Sequence, residues 1–508
     1  MKNFIQLLKK APWHLFLFSI YPILELWLLN IEQVSSRVIF RPMFFALIGA
    51  ILLWRLSAFI LKDAKRAAIL TTIFIIAFFT YGHVYLLLKN VQIAGTLVFR
   101  HRTLFVLWVL IGVLAYFLIK KSKRIDAIHS ALNWMSVLLM LIFSVELINF
   151  QLTQIQSVPK PDKLTYSSQA PDTLTGLPDV YYIILDGYGR SDMLKQEMGY
   201  DNSAFISGLE ELGFYVAEHS QSNYSQTTLS LGSSLNYDYL ETLGVTIDED
   251  KLVRRDVYSL ISDNSIRGYL EERGYKTVAF ATGFVWSEFK DAEYFLQPEP
   301  GAKLNEFEYL LLQTTMVRIP LDYKRLFKTD LRNELFRERT EFTLEKLKTI
   351  PSISGPKFVF AHILVPHLPF VFGANGEDAE MDFKPELEYT EEEFIYGYTN
   401  QVTFVNKQVL EVVRELIEKS QVPPIIIIQG DHGFGRFGRE ARMRILNAYY
   451  LPGQPDVLYD TISPVNSFRV VLNTYFDQSL PILEDRSYFS GYNNPQNFDL
   501  IENPYIEK

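Results

Sequence analysis

Val180-Tyr181-Tyr182-Ile183-Ile184-Leu185-Asp186 and Ile425-Ile426-Ile427-Ile428-Gln429-Gly430-Asp431-His432-Gly433 decide the fold of this chain. Each is a short β-branched or aromatic run, apolar on both faces, as a strand in the middle of a parallel sheet must be. Each stops at an acid. Asp186 and Asp431 therefore sit at the carboxyl ends of buried strands, the edge of an open α/β sheet where ligands bind. A single aspartate after a strand is ordinarily a turn or cap residue. Two such ends, one carrying Asp-His-Gly, bring metal-ligand chemistry to one rim. Carboxylates with an imidazole suit a divalent cation of intermediate hardness, Mn²⁺ or Zn²⁺, better than Ca²⁺, which takes an all-oxygen shell. The chain has no cysteine, so thiolate sites are excluded.

Between these strands, the stretch from Ser222 to Gln226 is polar, while Leu229, Leu231 and Leu235 begin an apolar face at helical spacing. That places Thr227 at or near a helix N-terminus, where free N–H groups and the helix dipole favour an anion. A threonine hydroxyl is a poor nucleophile until a base or a metal activates it. The plain alternative is that Thr227 caps the helix, and Thr228 and Ser225 are the fallback hydroxyls. His362 ends the apolar run Phe358-Val359-Phe360-Ala361 at the same rim and reads equally well as a buried core histidine. His367 follows in a loop stiffened by Pro366 and Pro369, which aims its side chain. Arg190 and Asp192 open the helix after the first strand, as substrate or metal contacts or as a solvated pair.

Taken together, these residues resemble the alkaline phosphatase superfamily, and within it the membrane-anchored sulfatase-like branch of lipoteichoic acid synthases and phosphoethanolamine transferases. The stretches that carry the resemblance are Pro178 to Asp186 with Arg190 and Asp192, Thr227 to Leu235, Phe360-Ala361-His362 with Pro366-His367-Leu368-Pro369-Phe370, and Gly430-Asp431-His432-Gly433. The resemblance covers residues 179 to 475. It implies Asp186, Asp431 and His432 as metal ligands, Thr227 as a nucleophile that also touches the metal, and His367 at the transferred phosphoryl or leaving group. His362 and Arg190 are the substrate-binding candidates. Sulfatases of this superfamily mature a cysteine or serine to formylglycine and carry an arginine a few positions later. Here Thr227 and Leu231 stand in those places, so formylglycine chemistry is not expected.

The 508-residue chain carries a formal net charge of −9 and has no basic stripe, which argues against nucleic acid as a partner. Its apolar excess lies before residue 150, in five stretches long enough to span a bilayer, at residues 12–29, 43–61, 67–88, 103–119 and 131–150. Lys2, Lys9 and Lys10, then Lys62, Lys65 and Arg66, then Lys120, Lys121, Lys123 and Arg124 alternate onto one side. Fewer basic residues, chiefly Arg37, Arg41, Lys89, Arg100 and Arg102, fall on the other. The positive-inside rule puts the amino terminus in the cytoplasm and the carboxyl-terminal domain outside. Glu25, Arg55 and Glu146 lie within about two turns of span ends and reach the interface by snorkelling.

The expected organisation is a five-helix membrane anchor (1–150), a Pro-rich linker (151–178) and an extracytoplasmic α/β domain (179–508). That domain is a doubly wound, mostly parallel sheet, because strand and helix patterns alternate along it. Residues 285–350 read as an insertion, and residues 393–418 as a sheet-packing helix. The expected function is a phosphotransferase that moves a phospholipid-derived head group to an envelope glycan or lipid. A phosphate or sulfate ester hydrolase and a non-catalytic partner in envelope polysaccharide assembly are the alternatives.

Overall fold

The computed structural model describes residues 11–31, 33–93, 96–155, 176–245, 254–299, 304–323, 331–379, 381, 384, 386–491 and 494–506. The chain forms two compact units, one of residues 1–157 with 301–335, the other of residues 158–300 with 336–508. Residues 156–175, most of the expected linker, lie outside the described residues.

The first unit contains α1 (Trp13–Leu29), α2 (Phe40–Leu61), α3 (Ala64–Leu88), α4 (His101–Lys121) and α5 (Ile125–Ile155). Four of them, α2 to α5, are long and apolar enough to cross a membrane. This corrects the expected five. Helix α1 has 17 residues, about 25 Å at the helical rise, against a hydrocarbon core of about 30 Å. Pro12 precedes it, and Asn30 closes it by donating its side-chain amide to the Leu26 carbonyl at 2.7 Å.

The two ends of this helical unit differ in chemistry. At one end, Lys65 Nζ lies 2.5 Å from Asp126, and Arg66 donates to the carbonyls of Lys120 and Ser122 at 3.0 Å. At the other, residues 304–323 return to the helices from far along the chain. There Glu308 pairs with Arg41, the Met316 N–H donates to the Phe78 carbonyl (3.0 Å), and His101 Nε2 meets Asp322 at 2.9 Å. Phe307 and Leu311 are buried in the same cluster as Leu15, Phe18 and Phe79. Gly82 permits the approach, since a Cβ there would stand 2.2 Å from the Gln313 carbonyl oxygen.

The second unit is built on seven strands: β1 (Val180–Leu185), β2 (Tyr215–Val216), β3 (Lys276–Phe280), β4 (Tyr294–Leu296), β5 (Lys357–Ile363), β6 (Ile425–Gly430) and β7 (Asn447–Tyr450). Their order is β2-β7-β6-β1-β5-β3-β4, parallel from β6 to β4 and antiparallel at β7 and β2. Every residue of β1, β5 and β6 is buried, as their apolar runs demand.

Alternation sorts the two faces. Tyr181, Ile183 and Leu185 pack under α6 (Ser191–Met198), α7 (Ser203–Glu211) and a long helix, residues 391–419, that buries Tyr398, Val402, Val405, Val409 and Val412. Val180, Tyr182 and Ile184 pack under α8 (Thr227–Ser234), α9 (Ser265–Glu271) and the helix of residues 464–475. Each such apolar side chain removed from water contributes about 1.5–3 kcal/mol, which fixes the register. The residue 391–419 helix begins with a capping box between Thr390 and Glu393.

At the rim the backbones close together: a Cβ on Gly430 would lie 2.3 Å from the Tyr188 carbonyl oxygen. Gly430→Ala therefore forces a backbone shift. It should cost about 1–3 kcal/mol of stability, as overpacking does, read as a lowered midpoint of thermal unfolding in detergent.

Candidate metal centre

The register carries the site. Leu185 pairs with Ile363 on one side and Gly430 on the other, so Asp186 and Asp431 leave adjacent strands at the same level. Each then finds different partners. Asp431 Oδ1 accepts the N–H of Gly187 and of His432, both at 2.9 Å. Among the described residues its Oδ2 is buried without a hydrogen-bond partner, as is Asp186 Oδ1. Ligand atoms of Asp186, Asp431 and His432 all fall within 4.8 Å of one another. Two orphaned buried carboxylate oxygens beside an imidazole fit a divalent cation, which would satisfy all three.

His432 is prepared for that role. Its Nδ1 faces the Gly433 carbonyl at 2.8 Å; a carbonyl only accepts, so Nδ1 carries the hydrogen and Nε2 presents a lone pair. Nε2 lies 3.5 Å from Asp431 Oδ2 and 3.9 Å from Asp186 Oδ1. Burial lowers the His432 pKa to about 4, leaving the ring neutral at pH 7. Burial alone would raise the Asp186 carboxyl, but His367, His362 and His432 together hold it well below the usual carboxylate range.

Thr227 is the first residue of α8, whose N-cap is Gln226, and no side chain caps that helix. Its hydroxyl instead lies 3.0 Å from His432 Nε2. Thr227 thus stands beside the Asp186, Asp431 and His432 cluster rather than at a cap. Ser225 is turned away, hydrogen-bonded to Ser490 in both directions at 2.9 and 3.0 Å.

The other candidates divide. His362 is buried with Nε2 3.4 Å from Asp186 Oδ2, and among the described residues neither ring nitrogen has a hydrogen bond. His367 stacks on Phe434 at 5.4 Å and lies edge-on to His432 at 6.0 Å between centroids. Its Nδ1 is 3.2 Å from the Leu368 carbonyl, and Gln401 fixes the loop by donating to the carbonyls of Pro366 and His367. Arg190 is buried and engaged elsewhere: it grips Asp192 through Nε and Nη2 at 2.7 Å and gives Nη1 to the Ser220 carbonyl at 2.9 Å.

Sequence reasoning passed over the supports. The Ser222 hydroxyl lies 2.6 Å from the Asp431 carbonyl, and the Gly433 N–H donates to the Arg442 carbonyl at 2.6 Å. A Cβ on Gly433 would lie 2.7 Å from the Ala441 carbonyl oxygen, which is why glycine follows the histidine.

The family profile described as Sulfatase matches residues 178–461. No curated protein matches the chain. Among solved structures, the chain is similar to the C-terminal periplasmic domain of EcEptC from Escherichia coli, at 12% identity over 69% of this chain and 98% of that one, TM-score 0.43. It is similar to the integral membrane protein lipooligosaccharide phosphoethanolamine transferase A from Neisseria meningitidis, at 11% identity over 92% and 95%, TM-score 0.40. The lipoteichoic acid synthase LtaP from Listeria monocytogenes aligns at 13% identity over 61% and 75%, TM-score 0.38.

Removing either the Asp431 carboxylate charge or the imidazole should empty the centre. In Asp431→Asn and His432→Ala, metal content of the purified protein, measured by plasma mass spectrometry, should fall to background while the chain still inserts into membranes. Full occupancy in both would rule out this ligand set.

Proposed function

Because the chain belongs to the sulfatase family, within the alkaline phosphatase superfamily, and offers Thr227 in place of a formylglycine precursor, we propose that it is a membrane-anchored phosphotransferase. Its donor is a phospholipid, whose phospho-head group, of phosphoglycerol or phosphoethanolamine type, passes to a hydroxyl of an envelope glycan or lipid. Residues 1–150 serve as the anchor, 151–178 as the linker and 179–508, apart from the segment 301–335 that belongs to the helical unit, as the catalytic domain.

The observation that carries this reading is the Thr227 hydroxyl 3.0 Å from His432 Nε2, beside two carboxylates with orphaned oxygens. Asp186, Asp431 and His432 would hold Mn²⁺ or Zn²⁺, with Thr227 at its edge. Such an ion supplies Lewis acidity that lowers the pKa of a neighbouring hydroxyl. Thr227 Oγ1 then forms a bond to phosphorus as the bond to the lipid alcohol breaks. The uncapped first turn of α8 directs N–H groups toward the anionic phosphoryl oxygens. With Nδ1–H given to the Leu368 carbonyl, His367 has Nε2 to take the proton that the Thr227 hydroxyl gives up and to return it to the departing lipid oxygen. His362, against Asp186, lies deeper at the same rim. Arg190 positions the backbone before the nucleophile through its bond to Ser220. The acceptor hydroxyl then attacks the phosphothreonine; water in its place makes the enzyme a hydrolase through the same first half.

Orientation follows from the end of the helical unit where Lys65, Arg66 and Lys120 gather, a cytoplasmic signature whatever α1 does. Leaving α5 from the opposite end puts the catalytic domain outside. The chain has no cysteine, so Ser122→Cys and Ser354→Cys report cleanly. In spheroplasts an impermeant maleimide should label the second and spare the first; the reverse pattern inverts the topology.

Mass spectrometry of protein purified from its own membranes should find a phospho-head-group adduct on the Thr227 peptide. Thr227→Ala should lose the adduct and all turnover, and Thr227→Ser should keep part of both, since the hydroxyl remains. A cap would behave differently, with Ala costing about 1 kcal/mol of stability and no chemistry. Full activity in Thr227→Ala, Thr228→Ala and Ser225→Ala alike would end the covalent mechanism.

A further inference from the structure

Four arginines follow the Asp-His-Gly turn within the segment Gly435 to Arg444, in a chain of net charge −9. Three have partners that account for them. Arg436 donates to the carbonyls of Glu386 (3.0 Å) and Tyr389 (2.9 Å). Arg439 pairs with Asp499 at 2.6 Å, and Arg444 reaches Gln196 at 3.1 Å and Asp192 at 3.5 Å.

Arg442 is different. It is half-buried, and its charge bears on Glu386, Asp431, Asp186 and His432, yet among the described residues no carboxylate forms an ion pair with it. Its Nε donates to the Ser225 carbonyl at 2.6 Å, two residues before Thr227, while its own carbonyl holds the Gly433 N–H. The guanidinium runs beside Gly435, where a Cβ would meet Cδ at 3.4 Å and Nη1 at 3.7 Å. It is thus tied at both ends to the two segments that deliver the nucleophile and the metal ligands. A guanidinium drawn out of water with its fork unpaired is costly, and a bound oxyanion is the partner whose geometry matches it.

The carboxyl-terminal hairpin of β8 (Ser487–Gly491) and β9 (Asn494–Ile501) keeps it there. From β8, the carbonyl of Tyr488 accepts the Ser225 N–H at 3.2 Å, Ser490 Oγ accepts from Gln226 at 3.0 Å, and Phe489 lies under Arg439 at 4.9 Å. From β9, Asp499 holds Arg439, three residues before Arg442.

We propose that Arg442, braced by this hairpin, is the residue that grips the non-bridging oxygens of the substrate phosphate beside Thr227. The assignment rests on the phosphotransferase reading above, but its test does not need turnover. Full-length protein in detergent, loaded with Mn²⁺, is titrated calorimetrically with inorganic phosphate. Arg442→Ala should weaken phosphate binding by about tenfold or more, the worth of a charge-assisted pair. Arg442→Lys should fall between, keeping the charge and losing the fork, and guanidinium ion at sub-denaturing concentration should restore part of the loss in Arg442→Ala. Metal content should be unchanged in both. Equal phosphate affinity in wild type and Arg442→Lys and Arg442→Ala, or no phosphate binding by wild type, overturns the assignment. The Thr227 adduct, read separately, tells whether the phosphotransferase reading falls with it.

Discussion

In-register parallel pairing of β1 with β5 and β6 is the constraint on which the site depends. Neighbouring strands lie about 4.8 Å apart, so two aspartates one residue past paired positions stand side by side without help from any loop. A slip of one residue would exchange the two faces of β1, sending Tyr181, Ile183 and Leu185 under the wrong helices. The apolar core therefore enforces the spacing of the candidate ligands. The carboxylates gain their place from hydrophobic burial some distance away, and hydrogen bonds only finish the arrangement.

Those hydrogen bonds do so asymmetrically. Asp431 uses one oxygen for two backbone N–H groups and leaves the other bare, and His432 spends Nδ1 on a carbonyl to free Nε2. Each ligand is fixed by one atom and available through another. That division keeps the cluster rigid while its inward face stays reactive.

How much of this was legible depends on range. The central strands, the helix of residues 391–419 and the meeting of Asp186 with Asp431 and His432 follow from local pattern, because apolar period and strand ends are written in consecutive residues; Thr227 beside them was implied only by the family resemblance. The count of membrane helices failed by length: the first apolar stretch reads as a span until Pro12 and Asn30 are seen to close a helix of 17 residues. Arg190 was visible as a charge near the rim, but its capture by Asp192 and the Ser220 carbonyl is a matter of side-chain direction. Arg442 and the carboxyl-terminal hairpin were missed because their partners lie more than two hundred residues away. The run of arginines after Asp-His-Gly, in an acidic chain, was the one signal that pointed there.

The segment of residues 304–323 has a further consequence. Glu308, Met316 and Asp322 make it part of the helical unit, so the chain leaves that unit, returns to it and leaves again. The helical unit is therefore completed by sequence that is translated after only four of the seven strands of the sheet. A protease that nicks the chain once between residues 156 and 175 severs the backbone without shedding the enzyme, because the downstream fragment still carries the plug that fits the helices. Soluble release would take a further cut on each side of that plug, and it would leave Phe307 and Leu311 behind, still covering Phe79 and its neighbours.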